Sequence, residues 1–211
     1  MNQVQQLEIE QLEKETEEGN VNSMFEYAQR FRDGKGVMIN KKKASIYFKK
    51  AADLGHEESM RVYSKMLSNG EGIKADMNES AKYLKMSADA GNIKSMLEYA
   101  QMTEQGNVIA VDEAESAKYC KMAADKGDVF GQFNYGSKLR MGMGVKRNME
   151  KSIEYFKMAA DQGFPFAIIS LASIYSNGEG VDVDMKEASK YHKIAADNGY
   201  VPSIFEYGKM L

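Results

Sequence analysis

Few side chains in this chain could do covalent or metal chemistry. The 211 residues include two histidines, His56 and His192, and one cysteine, Cys120. A catalytic centre needs unlike reactive groups that converge. A zinc site needs several N or S ligands at short, regular spacing. Neither pattern occurs. Four Gly-x-Gly segments, at Gly34-Lys35-Gly36-Val37, Gly70-Glu71-Gly72-Ile73, Gly142-Met143-Gly144-Val145 and Gly178-Glu179-Gly180-Val181, bear comparison with a phosphate loop. Such a loop joins a strand to a helix, and no strand pattern precedes these. Five lysines, Lys49, Lys85, Lys121, Lys157 and Lys193, would line an outer, convex face and could attract an anionic partner. Each has an aspartate four residues later: Asp53, Asp89, Asp125, Asp161 and Asp197. At that spacing the pairs are neighbours on a helix surface and cancel the charge.

The bulk composition excludes further classes. Lys plus Arg number 28 and Asp plus Glu 31, a net charge of −3. That lacks the clustered basic excess that nucleic-acid binding needs. One cysteine allows no internal disulfide, so a reducing, cytoplasmic setting is expected. Residues Met1 to Gln6 have neither the basic start nor the apolar core of a signal peptide. The longest uncharged run, between Asp161 and Glu179, is broken by Pro165, Ser170, Ser173 and Ser176. It reads as a core helix rather than a membrane insertion, which needs about 20 mostly apolar residues.

The elements that position these residues repeat. Gly19, Gly55, Gly91, Gly127, Gly163 and Gly199 follow at intervals of 36 with no insertion. Two tyrosine columns keep the same register: Tyr27, Tyr63, Tyr99, Tyr135 and Tyr207, with Leu171 in one place, and Tyr47, Tyr83, Tyr119, Tyr155 and Tyr191. Pairs of small residues follow the second column, from Ala51-Ala52 to Ala195-Ala196. Each unit reads as two helices. In the first, Met24, Tyr27, Ala28 and Phe31 form one apolar stripe. A glycine turn ends it. The second begins at a capping residue: Asp76, Asp112 and Asp184 each precede a glutamate by three positions, the capping-box spacing, with Asn40 and Asn148 in the same column. Ala44, Tyr47, Phe48, Ala51 and Ala52 make its core face, and the repeat-start glycine closes it. A single hairpin cannot bury its apolar face, so neighbours must stack into a solenoid. In this register His56 falls in a surface loop, and His192 and Cys120 share a core column with Phe48 and Phe156.

The run Lys43-Ala44, Tyr47-Phe48, Ala51-Ala52 and Gly55, preceded by Gly34-Lys35-Gly36-Val37, resembles the Sel-one-like repeat (SLR) family, relatives of the tetratricopeptide repeat. The resemblance covers five units and a partial sixth. The chain departs from the family in having Tyr-Ala, Tyr-Ser or Tyr-Gly for its usual Leu-Gly, and tyrosine for its tryptophan column. In the third unit, Gly106-Asn107-Val108-Ile109 lacks the second turn glycine. The expected fold class is all-α, a right-handed α-α superhelix (solenoid) of 36-residue helix–turn–helix repeats. The expected division is residues 1–18 as an N-terminal capping helix or degenerate half-repeat, repeats over 19–54, 55–90, 91–126, 127–162 and 163–198, and a partial repeat over 199–211 with a first helix only. The family implies an adaptor in signalling, quality control or complex assembly. Its cysteine-rich, penicillin-hydrolysing branch has a disulfide in each repeat, which Cys120 alone does not match.

In related repeats the first helices line the concave groove, where the columns of Asn22, Glu26 and Gln29 would face a ligand. Here these columns change along the chain: Asn22, Glu58 and Lys94 give way to Phe130, Phe166 and Pro202. A neighbouring column runs Asn20, His56, Asn92, Asp128, Phe164, Tyr200. Clustered exposed aromatics mark interaction surfaces, so Phe130, Asn134, Phe166, Ser170 and Tyr200 are the expected contact patch for a protein or peptide. Two alternatives stand beside it: these aromatics pack between successive first helices, or they meet sequence outside this chain. The last helix, with Ile204, Tyr207 and Leu211, lacks a second-helix partner. That suggests a fragment, continuation into another domain, or end-to-end self-association. The expected function is a protein-interaction scaffold without catalytic, cofactor or metal residues. The alternatives are a structural spacer or oligomerisation arm, or the repeat region of a larger signalling protein, for example beside a kinase domain.

Overall fold

The computed structural model describes residues 3–210, and Leu211 lies outside them. All regular structure among these residues is helical. The chain divides into two units, Met1–Val111 and Asp112–Leu211. The first contains α1 (Gln3–Glu17), α2 (Val21–Asp33), α3 (Lys41–Asp53), α4 (Glu57–Asn69), α5 (Met77–Asp89) and α6 (Ile93–Gln105). The second contains α7 (Glu113–Asp125), α8 (Val129–Met141), α9 (Met149–Asp161), α10 (Pro165–Asn177), α11 (Met185–Asp197) and α12 (Val201–Met210). Within each unit every helix packs on the next in sequence. The even-numbered helices are the first helices of the repeats, and the odd-numbered ones from α3 are the second.

The two helix types start alike and end differently. Asn40, Asp76, Asp112, Asn148 and Asp184 cap the five second helices, each accepting a backbone N–H three residues on. Such a cap contributes about 1 kcal/mol. The expected capping box is only half made. In four copies the cap's own N–H donates to a carbonyl of the preceding first helix, as from Asn40 to Phe31 at 2.8 Å and from Asp184 to Tyr175 at 3.0 Å. The glutamate is thereby free: Glu79 pairs with Lys82 and Glu187 with Lys190. First helices end on a left-handed glycine, Gly34, Gly70, Gly106, Gly142 or Gly178. Second helices run one residue further before the repeat-start glycine turns positive. In the first repeat Gly55 then lets the His56 N–H reach the Ala51 carbonyl at 3.0 Å.

The core follows from the repeat columns. Ala51, Ala52, Ala88, Ala123 and Ala159 have no exposed surface, because a larger side chain there would overpack the close helix contacts. The two tyrosine columns are partners. Tyr27 meets Tyr47, Tyr63 meets Tyr83 and Tyr135 meets Tyr155 edge to face, with ring centroids 4.8, 4.8 and 4.9 Å apart. Where Leu171 replaces the first tyrosine, Tyr191 stacks on Tyr175 instead, at 6.0 Å. The first unit centres on Phe48, Met60, Tyr63, Met66 and Leu67. The second centres on Phe156, Ile168, Leu171 and Ile174.

The second turn glycine serves packing between repeats. A Cβ on Gly72 would collide with the Lys41 backbone at the start of α3, and one on Gly144 with the Glu113 backbone at the start of α7. The third turn has Val108 there and no positive φ outside Gly106. It alone among the five first-helix turns lacks the second glycine.

The lysine–aspartate columns are more than paired surface charge. Lys49 and the Tyr83 hydroxyl both donate to Asp53, each at 2.6 Å. The pair on α3 thus holds the next second helix, α5. Lys121 and Asp125 pair at 2.6 Å on α7. Lys157 instead sits over the Tyr175 ring, 5.8 Å from its centroid. At the start of the chain, the Tyr27 hydroxyl donates to Glu13 of α1 at 2.6 Å, and Lys43 donates to Tyr27 at 2.7 Å.

Candidate partner-binding face

The side chains with reactive chemistry are used structurally. His56 lies in the turn between α3 and α4, where its column placed it, but it is half-buried rather than on the surface. Its Nδ1 accepts the Ser59 N–H at 3.1 Å and so caps α4, while its ring lies against Phe25 at 4.7 Å. Burial holds its pKa below the ordinary imidazole value. The column of Asn20, His56, Asn92 and Asp128, which the sequence places in a surface loop beside the groove columns, is the N-cap column of the first helices. His192 is half-buried, its ring nitrogens 3.4 Å from the Ser176 hydroxyl and 3.3 Å from that of Ser203. Burial lowers its pKa also. Cys120 is buried. Among the described residues no group of His, Cys, Asp and Glu could hold a metal ion.

The solvent-facing side of the first helices differs between the units. On α4 and α6 it is an ion-pair network. Arg61 binds Glu58 through Nε at 2.9 Å, Asn92 donates to Glu58 at 3.2 Å, and Lys65 reaches Glu98 at 3.0 Å. Hydrogen bonding from Arg61 holds the Glu58 carboxyl below its usual range against the opposing effect of burial. In the second unit the same columns carry Phe130, Phe133, Asn134 and Ser137 on α8, and Phe166, Ile169, Ser170 and Ser173 on α10. None of these is charged.

The rings among them form one cluster. Phe164 stands between Phe130 and Phe166, with centroids 5.3 and 5.5 Å away. Phe133 touches Phe164 at 5.2 Å, Phe166 at 6.2 Å and the core ring of Phe156 at 5.5 Å. The cluster is thus rooted in the core, yet Phe130 is 54% and Phe166 62% exposed. Asn134, one turn beyond Phe130, is exposed, and Ser170, one turn beyond Phe166, is half-buried. Tyr200 stands just before α12, 40% exposed, with Val201 and Phe205 exposed beyond it. Sequence reasoning missed Phe133 and the bridging role of Phe164. Phe133 belongs to a column, Phe25, Arg61, Leu97, Phe133 and Ile169, half-buried in these copies and exposed at Phe205, whose mixed character gave no signal. Phe164 occupies an N-cap position and makes no side-chain cap bond. Its replacement of a polar cap was the legible sign.

The chain belongs to the Sel1 repeat family. The family model matches residues 21–56, 58–92, 93–128, 129–164 and 165–200. Among solved structures the chain is similar to a protective antigen of uropathogenic Escherichia coli displaying an SLR fold, with 27% identity and a TM-score of 0.81. That match covers 96% of this chain and 43% of the antigen chain, so this chain spans less than half of that relative's length. A Sel1 repeat protein from Oxalobacter formigenes is 28% identical over 90% of this chain and 78% of its own, with a TM-score of 0.68. A comparison with curated proteins finds no significant match. The fold is accordingly the all-helical tandem-repeat solenoid of this family, whose repeats mediate protein–protein interaction. No described helix is long and apolar enough to cross a membrane.

Proposed function

We propose that the chain is a non-catalytic protein-binding scaffold, and that its contact face is the first-helix surface of the second unit. The observation that carries this reading is the uncharged aromatic cluster of Phe130, Phe133, Phe164 and Phe166, which leaves its two outer rings more than half exposed. Exposed apolar patches of this kind draw a binding partner because covering them releases water. Asn134, Ser170 and Tyr200 border the rings and supply uncharged polar contacts. A cytoplasmic setting belongs to the same reading, since a single cysteine allows no internal disulfide. The test is photo-crosslinking with a benzophenone amino acid placed at Phe130, Phe166 or, as a control, Glu26. Protein adducts formed from positions 130 and 166 and not from 26 would support the face. Adducts from 26 alone would refute it.

A second reading, self-association, is favoured by α12, where Ile204 is 50% and Phe205 65% exposed. Tyr207 is half-buried on the same helix. A mass that rises with concentration for the parent chain but not for Ile204→Lys would support it.

A further inference from the structure

We propose that the first unit holds a binding site apart from the aromatic face: a pocket between α2 and α4 that takes an aliphatic carboxylate of a partner protein, one ionised carboxyl group carried beside an aliphatic side chain. This site does not depend on the contact face proposed above.

The pocket is a cavity of about 610 Å³ between the end of α2 and the middle of α4, bordered by the turns that follow the two helices. The chain's own repeats show why it is open. Arg140 and Glu179 stand three repeats beyond Arg32 and Glu71, in the same two columns. There Arg140 grips Glu179 with two guanidinium nitrogens, its Nε at 2.8 Å. In the first unit these two columns make no ion pair with each other. Arg32 Nε turns back to Asp33 at 2.7 Å, where the later copy has Met141. Glu71 binds Lys41 at 2.9 Å, where the later copy has Met149. The space that a bridge would cross is left for a ligand.

The lining selects the ligand's charge. Arg32, Lys41, Arg61 and Lys65 line the cavity with only Asp33 and Glu71 against them. The Arg61 side chain is the most buried of the four cations, 14% exposed. Its Nε binds Glu58 at 2.9 Å, but its Nη1 stops 3.9 Å from Glu98, too far for a hydrogen bond. Those N–H groups, with the further donors of Lys41 and Lys65, suit a carboxylate, which takes short charge-assisted bonds from such groups. The number of charges is limited too. Glu58 and Glu98 lie outside the lining and pair with Arg61 and Lys65, so the four cations already share four carboxylates. One more can join them, whereas a run of acidic residues or a doubly charged phosphate would meet net repulsion.

The lining also selects what carries the charge. Val62 and Met66 are buried core residues that form part of the cavity wall, and Ile39 is 63% exposed at its edge. An aliphatic side chain set against them gains by leaving water. Two sources present this chemistry: the last residue of a partner chain, with its terminal carboxylate, and an internal aspartate next to leucine.

The test is an NMR titration of the intact, isotope-labelled chain with short acetylated peptides. Gly-Ser-Gly-Leu with a free C-terminal carboxylate presents the chain-end form, and Gly-Leu-Asp-Gly-amide the internal form. Each has an uncharged counterpart, the C-terminal amide or the Asn peptide, and a counterpart with Gly in place of Leu. At least one of the two parent peptides is expected to shift the amide signals of Ile39, Val62 and Met66 saturably, and which one does so tells the sources apart. Removing the charge or the leucine side chain should each weaken that peptide about tenfold. Raising the salt concentration about tenfold should weaken it at least about twofold. Lys41→Met combined with Lys65→Ser gives the first unit the residues that the second has at Met149 and Ser173. The double variant should bind the peptide at least about threefold more weakly, with the remaining spectrum unchanged as the sign that it is folded. Phe130→Ala combined with Phe166→Ala should leave the titration as it is. Equal binding of charged and uncharged peptides, equal binding by the parent and the lysine double variant, no saturable shift at the three residues, or tighter binding of inorganic phosphate than of either peptide would overturn the site and leave the aromatic face standing.

Discussion

Gly55 and Gly72 have similar positive φ values, +94° and +71°, but different surroundings. A Cβ on Gly55 would meet nothing within 4 Å, whereas one on Gly72 would strike the Lys41 backbone. Gly55→Ala should therefore cost only the left-handed strain, about 1 kcal/mol. Gly72→Ala adds a backbone collision that no side-chain rotation relieves, and should cost at least about 3 kcal/mol. Urea denaturation of the two variants checks the order, and equal midpoints would contradict the packing role given to the second glycine. Asp53 makes a second residue-scale case. Burial alone would raise its pKa, but the hydrogen bonds from Lys49 and Tyr83 outweigh burial and hold it below the ordinary carboxylate value. A carboxyl whose folded pKa is depressed stabilises the fold above its unfolded pKa of about 3.9. That contribution is lost as pH falls through the lower, folded value. Asp53→Asn should therefore be less stable than the parent near pH 6, and the two should converge in acid. Parallel pH–stability curves would contradict the clasp between α3 and α5.

At the scale of the helix, the ends carry as much information as the stripes. Asp128 accepts the Gly131 N–H at 2.8 Å and starts α8. Asp128→Ala should cost about 1 kcal/mol, read as a lower melting temperature, with no change in binding at the aromatic face. The second helices were legible in sequence because the cap, the turn glycine and the alanine pair fall in one register. The first-helix caps were not. Asn20, His56, Asn92 and Asp128 are all polar, and a polar column just ahead of an apolar stripe is equally compatible with a plain surface loop. The difference lies in backbone geometry, since each accepts the N–H three residues on, and spacing alone does not reveal it. Phe164 is the informative exception. It gives up the cap of α10 and gains ring contacts with Phe130, Phe133 and Phe166. A locally unfavourable residue held for a wider contact is where functional surfaces are expected.

At the scale of the whole chain, the repeat class was readable from the glycine interval and the tyrosine columns, because a solenoid places the same environment at the same offset in every copy. The candidate face was readable only in outline. Phe130 and Phe166 stand out against Glu58 and Lys94 in their column, but Phe133 enters from a flank that is neither fully buried nor fully exposed. Packing and solvent constrain such a position weakly, so its residue type varies from copy to copy. The two units also divide the chemistry. The solvent-facing side of α4 and α6 is an ion-pair network, whereas the columns of Phe130 and Phe166 and their flanks carry phenyl rings, an amide and hydroxyls without charge, and Arg140 near the end of α8 pairs with Glu179.

The most direct test of the central claim measures affinity and stability on the same protein. For a protein partner recovered by crosslinking, the dissociation constant is determined with the parent chain and with Phe130→Ala/Phe166→Ala, alongside the thermal melt of each. Because both outer rings are more than half exposed, the account predicts an affinity loss of at least about tenfold with a melting temperature lowered by no more than about 4 °C. An unchanged affinity accompanied by a large fall in melting temperature would contradict it, and would make the aromatic cluster a packing feature of the second unit.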